Sequence, residues 1–198
     1  MMIDAFGAPS LSAEALKLLQ HYGIPDPTWL VYTHWHTDHT FGSSALPPGS
    51  TVARRETDTM LRQFVSSGMQ QLKRNGMLEA AAFPRFPDLC LQGPAILRVG
   101  AFVCELIPMV GHTGDSLIIR EQRSGILIAG DMVMGKDAEL TPPPVIPPDK
   151  DSCDPESLKQ SLMNLRKLQP SMIIPGHGSP LQKDELLQDN LERLEKKR

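Results

Sequence analysis

The chain has 198 residues, 40% of them apolar, with 20 Lys and Arg against 23 Asp and Glu. That is enough for one domain spanning residues 1–198, whose core needs no disulfide or metal staple, and it excludes a second full domain. A net charge of -3 removes the broad positive field of a nucleic-acid or anionic-membrane binder, and no apolar run reaches the roughly 18 residues of a membrane span.

The N-terminus, MMIDAFG, has neither a basic nor an apolar leader pattern. Cys90, Cys104 and Cys153 form no CxxC pair, so a reducing, cytoplasmic setting is expected. Residues 1–6 read as a short strand that ends at Gly7 and Pro9. A helix follows, with Ser10 or Ser12 as N-cap, Leu11, Ala15, Leu16, Leu18 and Leu19 on one side, and Gly23 past its end. Residues 29–33 are a β-rich run that leads directly into THWHTDHTFG. A short strand is expected at 51–53, then a helix over 57–82 interrupted near Gly68 and Gly76. Three strand-like runs come next, at 96–108, 115–120 and 125–130. The Pro-rich segment 141–148 breaks regular structure and reads as a connector or a stiff lip. Asp154 then caps a helix that has Pro155 in its first turn and runs to Lys167. Residues 171–175 return as a strand ending in GHG, and a last helix starts at Gln182.

Five of the six histidines fall in three short segments, each just after an expected strand: His34, His36 and His39 with Asp38, then His112 in GHTGD, then His177 in GHG. Asp131 ends a fourth such strand, ILIAGD. Imidazole and carboxylate are the ligands that borderline cations such as zinc prefer, and loops at strand ends can bring several side chains to one point. With 6 His and 13 Asp in the chain, HxHxDH arises by chance about once in three thousand such sequences. Trp35 and Phe41 read as core residues beside this run, whereas Thr113 and Ser116 read equally as supports of His112 or as turn residues.

These motifs, from MMIDAFG through THWHTDH, GHTGD, AGD and PGHG, resemble the metallo-β-lactamase-fold hydrolases of the superfamily that includes glyoxalase II. The resemblance implies an α+β fold, a four-layer αββα sandwich. The strands that usually precede the first one are missing here, which suggests an N-terminally truncated form and a homo-oligomer built through the exposed sheet edge. It further implies two zinc ions per chain, with iron or manganese as alternatives. His34, His36 and His112 would hold the first ion and Asp38, His39 and His177 the second, with Asp131 bridging them. Two such ions share a water, lower its pKa and present hydroxide to the substrate, while Asp38 orients the nucleophile and moves protons.

An Asp at the bridging position favours ester, thioester and lactone hydrolases over true β-lactamases. Only 21 residues follow His177, which does not support the glutathione specificity of glyoxalase II. Met132, Val133 and Met134 stand where lactonases of this type often carry a Tyr. A small-molecule substrate is expected, with no membrane partner and no nucleic acid. A mononuclear iron persulfide dioxygenase, a metal-dependent endoribonuclease and a catalytically impaired relic of the fold remain open as alternatives.

Overall fold

The computed structural model describes residues 1–135, 138, 155–180 and 183–196. The Pro-rich segment 141–148, Cys153 and Asp154 lie outside the described residues. The chain divides into two compact units, Met1–Gln92 and Gly93–Arg198.

The first unit is built on a parallel sheet of four short strands in sequential order, β1 (Met2–Ile3), β2 (Trp29–Val31), β3 (Ser50–Arg54) and β4 (Leu89–Leu91). Parallel neighbours need crossovers, and helices supply them. α1 (Pro9–His21) joins β1 to β2, and α3 (Arg55–Ser67) with α4 (Met69–Arg74) joins β3 to β4. Between β2 and β3 the link is one helical turn, α2 (Thr37–Thr40), continued by a 3-10 turn at Phe41–Ala45. Thr57, Leu61 and Phe64 recur at helical spacing on α3 and are its buried face. Trp35 and Phe41 are both buried, each with its ring 5.6 Å from that of Phe64, so both are core residues as expected.

Three local expectations change in this unit. Helix α1 begins at Pro9 with Ala8 as its N-cap; Ser10 instead bonds Glu79, and the Ser12 hydroxyl donates to the Ala5 carbonyl at 2.6 Å. The helix expected over 57–82 is interrupted at Gly68 as expected but stops at Arg74, because Gly76 takes φ +70° and turns the chain away. Strand β4 has no counterpart among the expected elements; three residues are too few to show an alternating pattern.

The second unit carries a five-stranded sheet in sequential order: β5 (Ala95–Val99), β6 (Phe102–Pro108), β7 (Leu117–Glu121), β8 (Ile126–Met134) and β9 (Met172–His177). The first four strands are an antiparallel meander, and β9 lies parallel to β8. The single run expected over 96–108 is two strands, because Gly100 at φ +58° closes a hairpin. Helices α5 (Pro155–Lys167) and α6 (Lys183–Lys196) place Leu162, Leu165, Leu186 and Leu187 in a core with Ile118, Leu127, Ala129, Met132, Val133 and Ile173. Asp131 does not end its strand: β8 continues through Met132 and Val133, whose burial in this core carries it on to Met134.

Candidate metal centre

In the first unit the chain leaves β2 at Val31 and runs through Thr33 into the histidine-rich segment. Asp4, just past β1, organises that segment. Its Oδ1 accepts the Thr33 N–H at 2.7 Å, and its Oδ2 accepts both the Thr33 hydroxyl at 2.7 Å and the His39 Nδ1–H at 2.8 Å. A carboxylate only accepts hydrogen bonds, so His39 carries its proton on Nδ1 and keeps the Nε2 lone pair. The same logic fixes His34. Thr33 has given its only hydroxyl hydrogen to Asp4, so its 3.0 Å contact with His34 Nδ1 is a bond donated by the ring, which leaves the lone pair on His34 Nε2. Such outer partners set the tautomer and orientation of metal-ligating histidines.

The donor atoms of this segment lie together. His34 Nε2 is 2.9 Å from His36 Nδ1, the His34 and His39 rings are 4.2 Å apart, and His39 Nε2 is 3.5 Å from Asp38 Oδ2. His34, His36 and His39 are buried, while the Asp38 side chain is half exposed. Asp4 itself sits at φ +57°, a conformation that Asp tolerates better than most residues.

The second unit brings together His112, Asp131 and His177 by other means. One carboxylate oxygen, Asp131 Oδ2, stands 3.5 Å from His112 Nε2 and 3.4 Å from His177 Nε2. Backbone irregularity puts it there. The β8–β9 register shifts on both sides of Gly130, which takes φ +51°, and such a bulge re-aims the next side chain. Facing it on β9, Gly176 is pressed so close that a Cβ would lie 1.9 Å from Asp131 Oδ1. The Gly135 N–H donates to the His177 carbonyl at 2.8 Å, and Asn190 on α6 bonds both the N–H and the carbonyl of Met134. His112 lies in the loop after β6. Its N–H meets Met132 Sδ at 3.4 Å, and a Cβ on Gly111 would come within 2.8 Å of the Leu158 backbone. Thr113 and Ser116 bond to each other and close the turn after His112.

All seven residues singled out in the sequence therefore fall into two donor clusters, four in the first unit and three in the second. Imidazole nitrogens with fixed tautomers beside carboxylate oxygens are a donor set that suits borderline divalent cations such as zinc. Asp4 and Gly176 belong to the clusters as well. Both stand inside the motifs MMIDAFG and PGHG, where spacing alone gives neither of them a role.

The metallo-beta-lactamase superfamily profile matches residues 1–177, and the chain belongs to that superfamily. A curated relative, hydroxyacylglutathione hydrolase of Anaeromyxobacter dehalogenans (strain 2CP-C), is 33% identical over 117 residues, which are 59% of this chain. The match takes in 36% of that relative, little more than a third of its length. Among solved structures, a metallo-beta-lactamase from Pontibacter korlensis superposes with a TM-score of 0.72 at 19% identity, covering 98% of this chain and 81% of that one. A metallo-beta-lactamase family protein from Thermus thermophilus gives 0.71 at 18% identity, covering 98% and 70%. The chain thus has the metallo-β-lactamase fold that its motifs implied.

Proposed function

We propose that the chain is a dinuclear metal hydrolase acting on an ester, thioester or lactone, with residues 1–198 working as one catalytic domain. In this reading His34, His36 and His112 hold one zinc ion, Asp38, His39 and His177 hold the other, and Asp131 serves both. When bound, the metal pair supplies an activated water and polarises the carbonyl under attack. The observation that carries the reading is the shared oxygen of Asp131, set 3.5 and 3.4 Å from two imidazole nitrogens. Family membership and the partial likeness to a hydroxyacylglutathione hydrolase support it.

The protein's own groups have separable tasks. Asp4 holds the His39 ring directly and the His34 ring through Thr33, keeping the lone pair of each ring on Nε2. Asp38, half exposed, orients the attacking water, accepts its proton and returns it to the leaving oxygen or sulfur. Gly130 and Gly176 place the Asp131 carboxylate.

The substrate is a small molecule. The net charge of -3 supports neither nucleic acid nor an anionic membrane surface as partner, and no helix among the described residues is long and apolar enough to cross a membrane. Cys90 and Cys104 are free thiols, which suits a cytoplasmic setting. The outer edge of β1 is where self-association is proposed; light scattering showing a clean monomer at high concentration would contradict that part.

The test is metal analysis of protein purified without added metal or chelator, followed by a panel of acyl esters, thioesters and lactones. About two zinc per chain with turnover on the panel is expected. One iron per chain with oxygen uptake on a persulfide would replace the reading with a dioxygenase. Turnover confined to RNA would make the chain an endoribonuclease, and a loaded but inert site would mark an impaired relic.

A further inference from the structure

The Asp4 carboxylate fixes the rings of His34 and His39, and the third histidine of the segment, His36, is reached through its backbone. His36 is the N-cap of α2, a turn of only four residues, Thr37–Thr40. A helix that short does not hold itself, since nucleation costs more than a single turn of hydrogen bonds returns. Two hydroxyls brace it, on Thr40 and Ser43, and both residues are fully buried.

The Thr40 hydroxyl donates back to the His36 carbonyl at 2.9 Å and lies 3.3 Å from the Trp35 carbonyl. The same His36 carbonyl accepts the His39 N–H at 3.1 Å, which ties two donor-bearing residues to each other. One turn further on, Ser43 Oγ is 2.7 Å from the Thr40 carbonyl, which can only accept, so the Ser43 hydrogen goes there. Its two lone pairs take the Arg85 N–H at 2.8 Å and the Tyr32 hydroxyl at 2.9 Å, the latter shared with the Arg85 carbonyl at 3.0 Å. Every valence of the Ser43 oxygen is used, and the histidine turn is thereby tied to the chain just past β2 and to the segment before β4. A buried hydroxyl costs free energy unless it is bonded, and a Val at position 40 would fill the same space without that demand. Packing alone does not call for a hydroxyl there; the bond to the His36 carbonyl does.

We propose that Thr40 and Ser43 are positioning residues of the metal centre. Through the His36 and Thr40 carbonyls they hold the backbone that carries His36, which keeps its Nδ1 2.9 Å from His34 Nε2. Holding donors together in advance lowers the cost of assembling them around an ion. The proposal rests on the metal-centre reading above.

Zinc affinity by chelator competition and the visible spectrum of the cobalt(II)-loaded protein, which reports ligand geometry, test this on the full chain. Thr40→Val removes the hydroxyl and keeps the shape, Thr40→Ser keeps the hydroxyl, and Ser43→Ala removes the brace beneath it. Thr40→Val should weaken zinc binding about ten-fold and change the cobalt bands. Thr40→Ser should stay within about two-fold of wild type with the same bands. Ser43→Ala should move affinity and bands in the direction of Thr40→Val, by about three-fold in affinity.

Wild-type zinc affinity and unchanged cobalt bands in Thr40→Val, whatever its Tm, would overturn the proposal. So would Thr40→Ser behaving as Thr40→Val does, because the methyl group and not the hydroxyl would then matter. If Thr40→Val does not fold, Ser43→Ala decides: wild-type affinity and bands there overturn the proposal, and a loss of affinity with the fold intact by circular dichroism supports it. A wild-type protein that takes up neither zinc nor cobalt sinks the metal-centre reading and the positioning role with it. Metal uptake that no variant alters sinks the positioning role alone.

Discussion

The two donor clusters reach similar chemistry by opposite routes. In the first unit four donors lie within six consecutive residues, and side-chain hydrogen bonds from Asp4 and Thr33 fix the rings. In the second unit three donors come from three separate segments, and the backbone places them: a bulge at Gly130, a close approach at Gly176 and a strand pairing that holds His177. Loss of a polar group should therefore release the rings of the first cluster, and gain of a methyl group at Gly176 should displace the carboxylate of the second.

The sharpest break comes from Asp131→Ala, which removes the oxygen that two imidazoles share. Activity should fall on the order of a thousand-fold, with metal content reduced, as kinetics and elemental analysis would read. Asp4→Ala tests the polar route. It frees the His39 and His34 rings, so metal affinity should drop about 10- to 100-fold in a chelator competition while the fold survives by circular dichroism. Unchanged affinity would mean that the rings are held by something other than Asp4.

Gly176→Ala tests the backbone route. Its added Cβ would meet Asp131 Oδ1 at 1.9 Å and the Gly130 carbonyl carbon at 2.8 Å, so the cost should be about 2 kcal/mol or more in urea unfolding. A stability equal to wild type would show that β9 shifts freely and that the glycine does not place the carboxylate.

Tyr32→Phe sharpens the comparison from within the first core. The buried Tyr32 hydroxyl lies 2.9 Å from Ser43 Oγ and 3.0 Å from the Arg85 carbonyl, and burial pushes its phenol well above its ordinary value. The variant should lose about 1 kcal/mol in unfolding and keep its metal, separating support of the core from support of the ligands.

The smallest effect belongs to the surface of the second unit. The Ser124 N–H and hydroxyl hold the Glu121 carboxyl down to about 2. A lowered folded-state value stabilises above the unfolded value near 4.5 and is lost as pH falls towards 2. Glu121→Gln should therefore have a slightly lower urea midpoint than wild type at pH 7, and the gap should close by pH 2.

The first cluster was legible in the sequence because its four donors fall within six residues, so spacing alone carries the signal. The second was legible only as separate short motifs after strands, and no rule of spacing joins His112, Asp131 and His177. The role of Asp4 was hidden because it acts across 35 positions on His39. Gly176 carried no signal in the sequence, since only tertiary structure reveals what its missing Cβ would strike. Tertiary contact also overrode local preference at Ser10, a good capping residue that bonds Glu79 69 positions away while Ala8 takes the cap. The presence of strands at 96–108, 115–120, 125–130 and 171–175 followed from hydrophobic pattern, with the hairpin at Gly100 and the length of β8 as the exceptions, whereas their pairing came only with the structure.

The proposal stands or falls on whether the chain holds two metal ions that depend on Asp131. Metal content of the wild-type protein and of Asp131→Ala, measured in parallel on protein purified without added metal, tests it most directly. The account predicts about two zinc per chain in the first and fewer than one in the second. Equal metal content in both, or a single iron per chain in the wild type, would contradict it.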